Sequence, residues 1–275
     1  GGRALAVVKA NAYGHGAVRC AQALAEEADG FAVAFLEEAL ELRAAGIRQP
    51  ILLLEGVFAA AELAEVTRHG LWTVIHHEAQ IAMLECTALA APIHVWLKIN
   101  SGMNRAGFLP AAADRAWQRL HATGKVADIT LMTHFARADE PQVATTAEQV
   151  SRFDAATAHL PGGRSLANSG AILGWPQARR DWARPGILLY GADPMPDEGH
   201  GLQPVMTLES AVMAVREIAA GDALGYGGRF VAERDTRVGL VAMGYADGYP
   251  RGVPDGTPVA VDGRPAHIIG RGSMD

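Results

Sequence analysis

The stretch AVVKANAYGHG, residues 6–16, runs from apolar residues directly into a lysine and then into a polar, glycine-rich segment. The run LAVV, which ends at Val8, is apolar on both faces, as is typical of a parallel strand covered by helices. Lys9 therefore stands where a buried strand meets its loop. Because a lysine at a strand end can simply extend its stem into water, the meaning of Lys9 depends on the rest of the chain.

The same alternation of apolar runs and helical segments continues as far as Gly191. FAVAFL, PILLLEG and LWTVIHH each precede a segment with helical periodicity, and several such segments end in glycine, the preferred helix C-cap. The pattern predicts about eight strands and seven helical connections, the number found in a TIM (β/α)8 barrel. A doubly wound open sheet is the structural alternative, because alternation alone does not establish closure.

After Gly191 the helical segments stop and short strand-like runs follow one another. We therefore predict a barrel domain over residues 1–200 and a smaller, incomplete all-β domain over residues 201–275, joined by the segment DPMPDEGHGLQP. The chain starts directly before a buried strand and stops just after an apolar run. We expect both ends to be truncated.

Composition excludes several classes of function. The chain has 275 residues, 49% of them hydrophobic, and a net charge of −6 without any basic run, so we expect no nucleic-acid partner. No apolar run reaches the roughly 20 residues that span a bilayer, so we expect no membrane association. Two cysteines, Cys20 and Cys86, indicate neither a disulfide framework nor a cysteine metal site, and we predict a cytoplasmic protein without a metal.

Chemically useful side chains gather at the predicted carboxyl ends of the strands, where TIM barrels carry their active sites. They are Lys9, Lys98 with Arg105, His134, Asn168 with Ser169, and the turn Arg184–Pro185–Gly186–Ile187. Small hydroxyls and loop amides after the last strands are typical of a phosphate site. A phosphate site together with a lysine indicates pyridoxal 5'-phosphate (PLP), held as a Schiff base. Each residue taken alone also has a purely structural explanation. His134 fits a buried core histidine, Ser169 a helix cap, and Arg184 a surface ion pair.

The chain resembles the alanine racemases along essentially its whole length. The resemblance rests, in order, on AVVKANAYGHGA, LKINSGMNRAGF, THFARADE, ANSG, RPGILLYG, LGYGGRF, GYADGYPRG and GRGSMD. Together with GFAVAFLEEALELRAAGI and PILLLEG, the set is most similar to the catabolic type of bacterial alanine racemase. The resemblance implies a PLP-dependent isomerase that interconverts L-alanine and D-alanine.

The resemblance also assigns roles to residues. It implies that Lys9 is the Schiff-base lysine and that Tyr226, from the β domain of a partner subunit, is the second catalytic base. For the cofactor it implies a set of binding residues: Lys9, Tyr13, Arg105, His134, Asn168, Ser169, Arg184, Gly186 and Ile187. It implies that Arg105, Tyr245 and Met274 bind substrate or line its entrance. Lys98 matches a lysine that is carbamylated in some relatives.

Racemisation requires proton exchange on opposite faces of the α-carbon, so a second base across from Lys9 is chemically reasonable. From spacing alone, Tyr226 and Tyr245 are equal candidates, and the choice of Tyr226 rests on the resemblance. The resemblance further implies a homodimer with shared active sites. Two alternatives stay open: a racemase of another amino acid such as serine, and a non-catalytic barrel protein that only binds PLP.

Overall fold

The computed structural model describes residues 2–275 and divides into two units, of which the first ends at Met206 and the second spans Thr207–Asp275. The domain boundary predicted from the sequence, between residues 200 and 201, lies a few residues before this division. No helix within the described residues is both long and apolar enough to cross a membrane.

Eight parallel strands form the centre of the first unit, and they neighbour one another in the order β7, β6, β5, β4, β3, β2, β1, β8. Seven helices connect or follow them and cover the outside of the sheet. The strands are β1 (Arg3–Val7), β2 (Gly30–Val33), β3 (Ile51–Leu53), β4 (Trp72–Ile75), β5 (Ile93–Lys98), β6 (Val126–Met132), β7 (Arg164–Ser165) and β8 (Trp182–Ala183). The helices are α1 (Ala17–Ala23), α2 (Leu36–Ala44), α3 (Glu62–Arg68), α4 (Glu78–Cys86), α5 (Ala113–Ala122), α6 (Thr145–Thr157) and α7 (Ser169–Gly174).

The order of the strands brings the two ends of the sheet, β7 and β8, towards each other. Individual bonds rather than a regular ladder join them: the Ser165 hydroxyl donates to the carbonyl of Trp182 at 2.9 Å, and the amide of Arg184 donates to the carbonyl of Ala167 at 3.0 Å. The predicted TIM barrel is confirmed, and this seam between β7 and β8 is where it closes.

Two apolar layers stabilise the barrel. Side chains that point inward form a small interior cluster that includes Leu5, Val7, Trp96 and Trp182, whereas the alternate positions face the helices and form the main core. This division follows from the period of two in a strand. It explains why the strands are apolar on both faces.

Two details of the first unit differ from the sequence-based expectation. Strand β1 ends at Val7, two residues before Lys9, because the chain turns sharply at that point. The run ILLY in RPGILLYG is a 3₁₀ helix, Ile187–Tyr190, and the last barrel strand is the preceding β8. Apolar composition alone does not separate a short strand from a buried helical turn.

The second unit consists of short antiparallel pairs, in agreement with the predicted all-β character. Strand β9 (Val212–Ile218) pairs with β12 (Thr236–Val241), β10 (Ala223–Leu224) with β11 (Phe230–Val231), and β13 (Pro258–Val261) with β14 (Arg264–His267). Single 3₁₀ turns at Tyr226–Gly228 and Tyr245–Asp247 interrupt the strands.

Candidate active site

A cavity of about 340 Å³ opens at the carboxyl ends of the barrel strands. The structure brings all nine predicted cofactor residues to its walls, along with Lys98. Leu54, Glu55 and Asp139 are further lining residues that the sequence analysis did not single out. They lie at or beyond strand ends, and this position is the only feature of the sequence from which they could have been predicted.

Lys9 opens an unusual backbone segment. The four residues that follow it, Ala10 to Tyr13, have φ between 53° and 54°, which is the left-handed helical region. For residues other than glycine this conformation costs roughly 1–2 kcal/mol each. Several bonds hold the turn: the amide of Ala12 donates to the carbonyl of Val8 at 2.8 Å, and the side chain of Asn11 accepts from the amide of Ala17 at 2.8 Å.

A small polar cradle lies at the β7 and β8 side of the cavity. The hydroxyl of Ser169 accepts hydrogen bonds from the amides of Gly186 at 3.0 Å and Leu188 at 3.5 Å, while Asn168 caps helix α7 through the amide of Ala171. Gly186 has no room for a side chain, because a Cβ there would lie 2.5 Å from the hydroxyl of Tyr13. The cradle therefore combines the hydroxyls of Ser169 and Tyr13 with backbone amides, and the absence of a side chain at Gly186 lets the Tyr13 hydroxyl lie close to the backbone.

Arg184 is the most completely fixed charged group of the cavity, with 4% of its surface exposed. Its Nη1 donates to the carbonyl and hydroxyl of Ser165, and its Nη2 donates to the carbonyls of Thr133 and Leu166. Burial lowers the pKa of Arg184 to about 10, so it stays charged at neutral pH. Among the residues described, none accepts from its Nε–H, which is left as the free donor.

His134 and Lys98 also lie in the positively charged environment around Arg184. Burial, followed by the charges of Arg184 and Lys98, lowers the pKa of His134 to about 3, so its imidazole is neutral at physiological pH. In the structure, the hydrogen bonds of the Arg184 guanidinium go to the carbonyls and the serine named above. Lys98 is 7% exposed, and burial lowers its pKa to about 8 against the opposing attraction of Glu55.

Two residues that the sequence analysis missed hold the strand ends in place. Gln149, on α6, is fully buried, accepts from the amide of Ala136 at 2.9 Å and donates to the carbonyl of His134 at 3.0 Å. The hydroxyl of Tyr190 donates to the carbonyl of Val7 at 2.8 Å, and its ring lies 4.8 Å from that of Tyr13. Neither residue has a sequence signal, because each acts through the backbone of a distant segment.

The other three predicted site residues, Tyr226, Tyr245 and Met274, belong to the second unit. Their side chains are 62%, 40% and 52% exposed, respectively. Tyr226 stands in a glycine-rich turn that Arg229 ties down through the carbonyls of Val253 and Gly270. The turn at Tyr245 is bonded to the backbone of Ser273 and Met274, so these two predicted substrate residues are neighbours within the unit.

Comparison with known proteins identifies the family. The N-terminal domain family of alanine racemases matches residues 1–194, and the C-terminal domain family matches residues 205–275. The chain belongs to the alanine racemase family. The family matches also separate the chain into two parts between residues 194 and 205.

Individual relatives agree with this membership. The chain is 75% identical over 275 residues to an alanine racemase of Azoarcus sp., and 59% identical over 278 residues to a catabolic alanine racemase of Pseudomonas putida. Both comparisons cover 100% of this chain and 78% of the relative.

Solved structures of the family match the fold as well. The biosynthetic alanine racemase of Pseudomonas aeruginosa superimposes with a TM-score of 0.96 at 48% identity, covering 99% of this chain and 77% of that one. The alanine racemase of Bartonella henselae, solved with covalently bound pyridoxal phosphate, has a TM-score of 0.85 at 30% identity and covers 100% of this chain and 77% of that one.

Proposed function

We propose that this protein interconverts L-alanine and D-alanine with PLP, using Lys9 and Tyr226 as its two bases. The observation that carries the proposal is the cavity itself, which combines Lys9, the hydroxyl and amide cradle of Ser169 and Gly186, and the buried Arg184. A barrel that only binds PLP is the less favoured alternative, since the second unit also matches the racemase family.

The residues present fit PLP. Ser169, Tyr13 and the amides of Gly186 and Ile187 would hold the phosphate, and the missing Cβ at Gly186 leaves space for a close approach. Asn168 fixes the start of α7, which carries Ser169. Arg105 and His134 would lie beside the ring, and Lys9 would carry the covalent link. When bound, PLP makes the α-proton of an attached amino acid easier to remove.

Arg184 determines the electronic setting at the pyridine nitrogen. Its four Nη hydrogens are occupied by oxygen acceptors, so the Nε–H is the donor that remains for that nitrogen. A guanidinium is a far weaker proton donor than a carboxylic acid, so it leaves the pyridine nitrogen largely unprotonated. With PLP bound, this arrangement would limit the withdrawal of electrons from the α-carbon and would disfavour side reactions at that carbon.

Each base acts on one face of the α-carbon. Lys9 moves the proton of D-alanine, and Tyr226 moves the proton of L-alanine. A tyrosine has an unperturbed pKa near 10, so this role requires a cation or hydrogen bonds that stabilise the phenolate. The guanidinium of Arg271 lies beside Gly227, the residue after Tyr226, and is one cation that the second unit brings to this turn, in addition to Arg229. Tyr245 and Met274 would line the substrate entrance.

The site is proposed to be shared in a homodimer. Large apolar side chains are exposed around the barrel end that carries the cavity: Phe35 is 45% exposed, Phe58 61% and Ile187 42%. Exposed apolar groups clustered around a cavity mouth are typical of an interface. We place the protein in the cytoplasm, since its two cysteines are unpaired.

The attachment point is tested by labelling. The protein is incubated with PLP, its absorbance spectrum is recorded, and the link is then fixed with borohydride and located by peptide mapping. Lys9 is the expected position. Labelling of Lys98 or Lys125 in its place would refute the assignment.

The roles of the two bases are tested by exchange of the α-proton in D₂O. Tyr226→Phe should nearly abolish exchange from L-alanine and leave part of the exchange from D-alanine. Equal loss for both enantiomers would indicate one base that serves both faces. Serine, offered in parallel with alanine, measures how far the site discriminates against a larger side chain.

A further inference from the structure

The segment that follows Lys9 raises the question of what holds it in a strained conformation. Ala10 to Tyr13 all have left-handed backbone conformations, and the amide of Ala10 donates no hydrogen bond within the turn. That amide donates to Oε1 of Glu38 at 2.6 Å. Glu38 belongs to helix α2, which follows the neighbouring strand β2, so the bond joins two successive strand-to-helix loops.

The second carboxylate oxygen of Glu38 has a different task. Oε2 accepts from the amides of Ala34 at 2.6 Å and Phe35 at 3.1 Å, which lie at the start of α2. A glutamate at the third position of a helix commonly reaches back in this way to satisfy free amides. Oε2 therefore caps the start of its own helix, and only Oε1 accepts a hydrogen bond from a different loop.

We propose that Glu38 is a positioning residue that sets the direction of Lys9 by holding the left-handed turn against the β2 loop. The inference rests on the proposed role of Lys9. A carboxylate that accepts hydrogen bonds from three backbone amides is held in a fixed orientation by short, charge-assisted bonds. One of these bonds holds the amide of Ala10, the residue directly after Lys9. No other described side chain bonds the amide of Ala10, so Glu38 is the link that compensates for strain at this point.

The substitution Glu38→Gln separates the two tasks of the carboxylate. A glutamine has one acceptor oxygen, and that oxygen should stay with the two amides of the helix start. Its NH₂ group then faces the amide of Ala10. Both groups are hydrogen-bond donors, so the bond to Ala10 is lost. Glu37→Gln is the matched control, because Glu37 is exposed, lies in the same helical turn and loses the same charge.

The first measurement needs no cofactor. Hydrogen exchange, followed by mass spectrometry of the peptide that contains residues 9–14, should be roughly tenfold faster in Glu38→Gln than in the unchanged protein or in Glu37→Gln, which is the loss expected for one charge-assisted bond. The thermal unfolding temperature of Glu38→Gln should fall by only a few degrees relative to Glu37→Gln, since helix capping is retained and a single bond is lost. Equal exchange in both variants would overturn the proposal.

The second measurement is PLP binding, followed by its absorbance and by borohydride labelling of Lys9. Glu38→Gln should bind roughly tenfold more weakly and be labelled more slowly. Failure to label Lys9 in the unchanged protein would refute the proposed function and leave the exchange result standing. Normal labelling in both variants would refute only the role of Glu38.

A rescue experiment distinguishes relief of strain from general damage. Glycine adopts positive φ without a steric penalty, so Ala10→Gly should restore much of the labelling rate in Glu38→Gln. The same change in Glu37→Gln should have little effect. If Ala10→Gly restores nothing, Glu38 does not act through the turn and the proposal is wrong.

Discussion

At the scale of single residues, Lys98 is the clearest test of the electrostatics of the cavity. Its pKa is lowered from 10.5 to about 8 by burial. Between these pH values the unfolded chain keeps a proton that the folded chain has released, so the free energy of unfolding rises with pH in this window. We expect Lys98→Met to remove this contribution, which amounts to at most about 3 kcal/mol.

The measurement is urea unfolding of the cofactor-free protein at pH 7 to 10.5. Between about pH 8 and 10.5 the unfolding free energy of the unchanged protein should rise relative to that of Lys98→Met, because deprotonation relieves the cost of burying the ammonium, which the methionine never carries. Lys98→Arg serves as the control, because a guanidinium stays charged over the whole range. A difference that does not depend on pH would contradict the lowered pKa.

Ser165 is a second residue whose contribution can be isolated. Its hydroxyl accepts from Arg184 and donates to the carbonyl of Trp182 across the barrel seam. Ser165→Ala should lower the free energy of unfolding by about 1–3 kcal/mol, since a buried charged donor loses an acceptor. It should also weaken PLP binding. Ser151→Ala, at an exposed helical position, should change neither quantity.

At the scale of elements, Gln149 joins helix α6 to the end of strand β6. Gln149→Leu would remove the side-chain partner of the amide of Ala136 and of the carbonyl of His134, two bonds that are partly buried, at a cost of about 1–2 kcal/mol in unfolding free energy. Gln118→Leu, on the exposed face of α5, is the control and should cost far less. Urea unfolding measures both. Similar losses would show that Gln149 is not a specific link.

The elements also show what could be predicted from sequence. Helices and parallel strands follow from apolar periodicity, and eight of the nine predicted cofactor residues follow from their places at strand ends, whereas Tyr13 came only from the resemblance to alanine racemases. Glu38, Gln149 and Tyr190 could not be predicted, because each bonds the backbone of a segment far away in sequence. The left-handed turn after Lys9 was equally hidden, since alanine, asparagine and tyrosine do not indicate positive φ in the way glycine does.

At the scale of the whole molecule, shared sites predict that two defective chains can complement each other. Lys9→Ala and Tyr226→Phe should each lack racemase activity on their own. If one subunit supplies Lys9 and its partner supplies Tyr226, a hybrid dimer contains one site with both residues intact. Mixing the variants under conditions that allow subunit exchange should restore part of the activity, measured as the change in optical rotation of alanine.

The controls are each variant mixed with itself, which should remain inactive. Hybrid formation is established separately, by differently tagged chains that copurify. Absence of recovery in proven hybrids would show that each site draws both bases from one subunit.

The seam between β7 and β8 has a consequence for how the protein is made. Strands β1 to β6 each pair with the next strand along the chain, whereas β8 pairs with β1, at Arg3 with Trp182, and must wait for nearly the whole barrel to be synthesised. Pairings so distant in sequence form slowly. Arg184, Gly186 and Ile187 follow β8 directly, so a nascent chain on the ribosome carries Lys9 long before it gains the phosphate cradle, which forms only when the barrel closes.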